Sequence, residues 1–149
     1  MIHPVAIVLV VPGGDFISRA INAATGRRGY SHCFLDPGWP AHGHDPIVVD
    51  ISRELGVQFS TFTRASGGRE CRRIPLGDRC GRIVLEHVLS RVGRRYNRTA
   101  MVLQPLQRKA LRGTYCSTVI ADALPLELRE RLPTCPSPAD LLVLEEVCA

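Results

Sequence analysis

Several features are scarce in this sequence, and each scarcity excludes something. The apolar run 5–11 is too short to cross a bilayer as a helix, which takes about 20 residues. No basic leader or small-residue cleavage site accompanies it, so the expectation is a cytoplasmic chain, with signal-independent export left open. Aromatic residues make up only 5% of the chain. That is too few to interleave with basic residues as base-stacking platforms do, so nucleic acid is not the expected partner. No low-complexity tract, internal repeat or linker is visible. The six cysteines include no C-x-x-C pair, which argues against a zinc ribbon or finger. A chain of 149 residues can bury a core without a disulfide framework, so free thiols are expected.

Acidic residues are outnumbered, leaving a formal net charge of +5. Arg27-Arg28, Arg72-Arg73, Arg94-Arg95 and Arg98 are scattered near expected element ends. They read as a solvated surface or as an attraction for an acidic polymer or membrane surface.

The patterning predicts one α+β domain over 1–149, with a central antiparallel sheet and helices packed against it. Strands are expected at 4–11, 30–36, 46–52, 56–62 and 70–76, the last with edge character because Pro75 lacks a ladder donor. A polar loop is expected after 62, through Gly67-Gly68. A helix is expected at 16–25, opened by Asp15. A second is expected from a cap at Asp78 to about Val92, with Ile83, Val84, Val88, Leu89 and Val92 as its apolar stripe and Gly93 as its stop. Residues 126–132 suggest a helical turn. Ser137-Pro138-Ala139-Asp140 carries a helix-start signature.

The segment 113–124 predicts a short helix with Thr114 as N-cap, Pro125 as stop and Val119, Ile120, Ala123 and Leu124 on its buried face. Cys116 then falls in the first turn, where the helix dipole favours a thiolate, the nucleophilic form of cysteine. The commoner use of a cysteine is simple burial in a core.

A thiolate nucleophile needs a base and a group that orients the base. Among the histidines, His32 lies early in a strand, where the backbone holds a side chain firmly. His42 and His44 fall in a Gly/Pro-rich loop, and His87 on a helix. Asp50 interrupts the apolar run 47–51, and a carboxylate inside a strand must be paired or exposed. If its strand pairs with that of His32, Asp50 accepts from one imidazole nitrogen and leaves the other facing Cys116. A metal site built from His32, Cys33, Cys71, His42 or His44 is a separate reading.

The ordered set Pro12-Gly13-Gly14-Asp15, Tyr30-Ser31-His32, a strand through Asp50, Gly56-Val57, Gly93-Arg94-Arg95-Tyr96-Asn97, Tyr115-Cys116-Ser117 and a closing Pro136–Leu141 segment resembles the circularly permuted, YiiX-like branch of the NlpC-type papain-like hydrolases. In that branch the histidine strand precedes the cysteine helix, as here. Two positions depart from the pattern: Thr118 stands where a glutamate commonly follows the Cys-Ser pair, and Tyr96-Asn97 replaces a Tyr-Asp pair.

The resemblance implies a cysteine-dependent amidase or peptidase with Cys116 as nucleophile, His32 as general base and Asp50 as third member, Glu54 being nearby. Backbone N–H of Cys116 and the hydroxyls of Tyr30 and Tyr115 are the oxyanion or substrate-binding candidates. No cofactor and no metal are implied. The implied substrate is an amide bond in a cell-wall peptide. A lipid ester is the nearest rival, because permuted relatives include the lecithin–retinol acyltransferase type, and a non-catalytic binding module is a third reading.

Overall fold

The computed structural model describes residues 3–14, 29–39, 43, 45–52, 55–95, 116–134 and 136–148. The expected helix at 16–25, His42, His44, Glu54, Tyr96-Asn97, Thr114, Tyr115 and Cys135 lie outside these residues.

The fold is α+β. Among the described residues, five strands form one antiparallel sheet: β1 (Ala6–Val10), β2 (His32–Asp36), β3 (Ile47–Ser52), β4 (Gly56–Thr61) and β5 (Cys71–Pro75), in the order β4-β3-β2-β1-β5. The helices are α1 (Phe62–Ser66), α2 (Asp78–Leu89), α3 (Cys116–Ala123), α4 (Leu126–Arg129) and α5 (Glu145–Cys148), with a 3-10 segment at Pro138–Leu144. None is long and apolar enough to cross a membrane.

The unbroken apolar reading of β1 has a physical cause: both faces of this strand are covered. Ile7 and Leu9 join the main core with Leu35, Val49, Ile74, Val84, Val119, Ile120 and Leu141. Val8 and Val10 face the other way, into a smaller cluster with Phe34, Val48 and Ala65. Each such side chain contributes about 1.5–3 kcal/mol by leaving water. Pro75 sits on the outermost strand, where its missing N–H costs no ladder bond.

Four expectations need correction. Residues 62–66 form helix α1 rather than loop, because capping comes from groups distant in sequence as well as near. The Thr61 hydroxyl accepts from Arg64 N, Asp45 Oδ1 accepts from Thr63 N at 2.9 Å, and Gly67 closes the helix in a left-handed conformation at φ 61°. In α2, Gly77 is the N-cap and Asp78 the first helical residue, where its charge still favours the N-terminus. The helix stops at Leu89, not near Val92. Its buried line is Gly81, Val84 and Val88, and Ile83 and Val92 are exposed. The chain beyond α2 turns away to run beside β4, where Gly93 N donates to Val57 O and Val57 N to Arg94 O. That approach demands glycine at position 56, since its φ is 79° and a Cβ there would meet Arg94 O at 1.9 Å.

The close of the chain combines two signals. The amide and hydroxyl of Ser137 both donate to Asp140 Oδ2, at 2.8 and 2.7 Å, and Pro138 takes the first position of the 3-10 segment. This segment packs on α3 and leads into α5, which reaches the sheet edge through the Arg72–Glu145 ion pair.

Candidate active site

Helix α3 begins at Cys116. Six of its eight residues are buried, including Val119, Ile120 and Ala123 on the expected face. Ser117 anchors the first turn, its hydroxyl donating to Pro136 O at 2.5 Å. The cysteine is therefore held by a helix that is fixed at its start and packed along its length.

His32 opens β2 and Asp50 lies within β3. These strands pair antiparallel at Leu35↔Val49, both of which point into the main core. Strand alternation turns His32, Phe34 and Asp50 to the other face. The rings of His32 and Phe34 lie 6.2 Å apart, centroid to centroid. On that face His32 and Asp50 are close enough to pair, and Nε2 of His32 stands 2.8 Å from Asp50 Oδ1. Asp50 is only 6% exposed, so its carboxylate is a buried, paired group and not a solvent-facing one. As Asp50 can only accept, Nε2 carries the hydrogen and Nδ1 is left for Cys116. The imidazole meets the Cys116 sulfur at the start of β2.

A second thiol completes the group. Cys33 projects from β2 into the main core, where Cys116 also packs, and its thiol and backbone N–H both hydrogen-bond the Cys116 sulfur. From sequence alone Cys33 reads as a free thiol or a metal ligand. The available signal was its place next to His32, on the opposite strand face by alternation, but the contact with Cys116 depends on where α3 lands.

The electrostatics follow from these contacts. The Cys33 hydrogen bond does most to hold the Cys116 thiol well below its ordinary range. His32 adds a hydrogen bond and a positive charge, and both overcome burial, which acts the other way. Burial also works against a charged His32, but the hydrogen bonds to Asp50 and Cys116 outweigh it and raise its pKa to about 9. Burial, reinforced by Cys116, pushes Cys33 well up, so it stays a protonated donor. The contacts favour an imidazolium beside a thiolate, with Asp50 behind the ring and Cys33 behind the sulfur.

Tyr30, the other described oxyanion or substrate-binding candidate, hydrogen-bonds a neighbouring side chain. It is half-buried against the main core, and its hydroxyl hydrogen-bonds Arg72, which also holds Glu145 through Nε at 3.2 Å and Nη2 at 2.5 Å. Tyr115 lies outside the described residues.

For the metal reading, Cys71 and His32 both sit opposite Val10, on the two sides of β1. Two strand spacings, about 10 Å, separate their backbones. Among the described residues no three His, Cys, Asp or Glu side chains converge to hold a metal. Cys33, Cys71, Cys80 and Cys116 are not disulfide-bonded.

No protein-family model matches the chain, and no curated protein or solved structure is significantly similar to it.

Proposed function

We propose that this protein is a cysteine hydrolase of the permuted papain-like, NlpC type, cleaving an amide bond by acyl transfer. The observation that carries this reading is the bracketed imidazole: His32 is fixed from behind by Asp50 at 2.8 Å and faces the Cys116 sulfur at the start of a buried helix. A histidine serving the core alone needs one partner. A histidine held by a carboxylate on one nitrogen and by a thiolate on the other is equipped to move a proton.

In the proposed reaction the Cys116 thiolate attacks the carbonyl carbon. Negative charge collects on the carbonyl oxygen, where the backbone N–H of Cys116 at the helix start is a donor. As the C–N bond breaks, the His32 imidazolium gives its proton to the leaving nitrogen and a thioester remains. Neutral His32 then takes a proton from water, the resulting hydroxide attacks the thioester, and the thiolate leaves. Asp50 keeps Nε2 protonated and the ring oriented throughout.

The substrate proposed is a peptide of the bacterial cell wall, with the net charge of +5 suited to an acidic polymer. A lipid acyl ester is the second reading. It is favoured by the exposed side chains of Trp39, Ile47 and Phe59, with the Trp39 and Phe59 rings 6.0 Å apart, an apolar surface of the kind that enters a lipid interface. Incubation with defined peptidoglycan fragments and with phospholipids, read by mass spectrometry against Cys116→Ala, separates the two. Cleaved peptide supports the amidase, and released fatty acid the lipid reading. No product from either, with folded protein, leaves a binding module on the same scaffold.

A further inference from the structure

We propose that Cys33 and Cys116 form a peroxide-sensitive dithiol, in which Cys33 resolves oxidised Cys116 as a disulfide and so protects and silences the nucleophile. The inference deepens the reading of Cys116 as the reactive thiol. It rests on the placement of the two sulfurs. Cys33 is the second residue of β2 and Cys116 the first of α3, both within the main core, joined by a thiol hydrogen bond. Hydrolysis as proposed needs one thiol here. A second, held protonated against the first, supports its charge but takes no covalent step in that mechanism.

The surroundings decide which sulfur reacts first. Cys33 is 0% exposed, whereas Cys116 retains 4%. Cys116 is also the sulfur whose charged form the site favours, and the thiolate is the form that oxidises. Its sulfur attacks one peroxide oxygen and the O–O bond breaks. Cys116 becomes a sulfenic acid, and the departing hydroxide takes the His32 proton as water. The Cys33 sulfur then attacks the Cys116 sulfur, the S–O bond breaks, and the Cys33 proton leaves with the hydroxyl as a second water. Two electrons pass from the two thiols to one peroxide, and the product is the Cys33–Cys116 disulfide. Added dithiol reductant reverses it by exchange. Cys71 and Cys80 serve as internal controls. Cys71 lies on the edge strand with its thiol donating to Arg69 O and its pKa pushed up by burial, and Cys80 is on α2.

The test is non-reducing peptide mapping of the intact protein after hydrogen peroxide, alongside Cys33→Ser. The expected result in the wild type is a linked Cys33–Cys116 peptide, with thiol-probe labelling of Cys116 lost and then restored by dithiothreitol. In Cys33→Ser the linked peptide is lost, Cys116 takes up two or three oxygens, and labelling does not return. Cys33→Ala also removes the hydrogen bond to the Cys116 sulfur, so oxidation there is expected to be slower but to end in the same irreversible product. Cys116 oxidising beyond the sulfenic acid equally in wild type and variants, or linking to a cysteine other than Cys33, would overturn the proposal. The map needs no substrate, so it reads independently of whether any hydrolysis is found.

Discussion

The two ends of β2 carry one buried carboxylate pair each, and the pairs differ in kind. At the C-terminal end Asp36 accepts the Gly38 N–H at 2.8 Å through one oxygen and binds Arg73 at 2.8 Å through the other. A guanidinium keeps its charge at any ordinary pH, so this end is electrically static. At the N-terminal end the partner of Asp50 is His32, whose charge comes and goes, and whose other nitrogen faces a thiol that also titrates. Both carboxylates are buried to the same degree and project from neighbouring strands of one sheet. What separates a structural pair from a candidate catalytic one is the partner's capacity to exchange a proton, together with a nucleophile on the far side of it.

Substitutions break this comparison in graded steps. Cys116→Ala is expected to abolish product formation while the protein stays folded, as judged by circular dichroism. His32→Ala is expected to reduce turnover by about 10²- to 10⁴-fold, the span that a positioned acid–base contributes. Asp50→Asn removes a hydrogen bond to a charged group, worth about 1.5–3 kcal/mol, or roughly 10- to 150-fold in kcat/KM. Its pH profile should move too, since the carboxylate helps raise the His32 pKa. The same change at the other end, Asp36→Asn, is expected to lower stability by about 1–3 kcal/mol in a denaturant titration and to leave turnover per folded molecule unchanged. Equal loss of turnover in both Asp variants would erase the distinction between the two ends.

Acidity gives a gentler probe of the same contrast. Cys116 titrates well below an ordinary thiol and His32 at about 9. The ionised pair therefore exists between those limits. As pH falls through the low Cys116 value the thiolate is protonated, and as pH rises through about 9 the imidazolium that protonates the leaving group is lost. The expected profile of kcat/KM is a bell with a broad neutral top, falling about tenfold per pH unit beyond each limit.

How much of this is legible in sequence varies by element. β1 and β3 are legible from their β-branched runs, β2 from its closing Pro37-Gly38, and the edge position of β5 from Pro75. Helix α1 is not, since one of its caps, Asp45, lies 18 residues upstream. The stripe of α2 is misjudged at Ile83 and Val92 because apolar spacing alone does not say where a helix ends or which neighbours cover it. Pairing of His32 with Asp50 follows from strand adjacency and alternation. The arrival of Cys116 at the same place does not, because it depends on how α3 packs across β2 and β3. Only the resemblance to permuted hydrolases brings those residues together in advance. Cys33 shows the limit most clearly: its neighbour in sequence is His32, but its partner in space is Cys116.

The most direct measurement is the rate at which each cysteine of the native protein reacts with iodoacetamide at neutral pH, resolved by peptide mapping, in wild type and His32→Ala. The account predicts that Cys116 labels well ahead of Cys71 and Cys80 in the wild type and that this lead shrinks when His32 is removed. Slow labelling at all three sites, unchanged by the substitution, would contradict it.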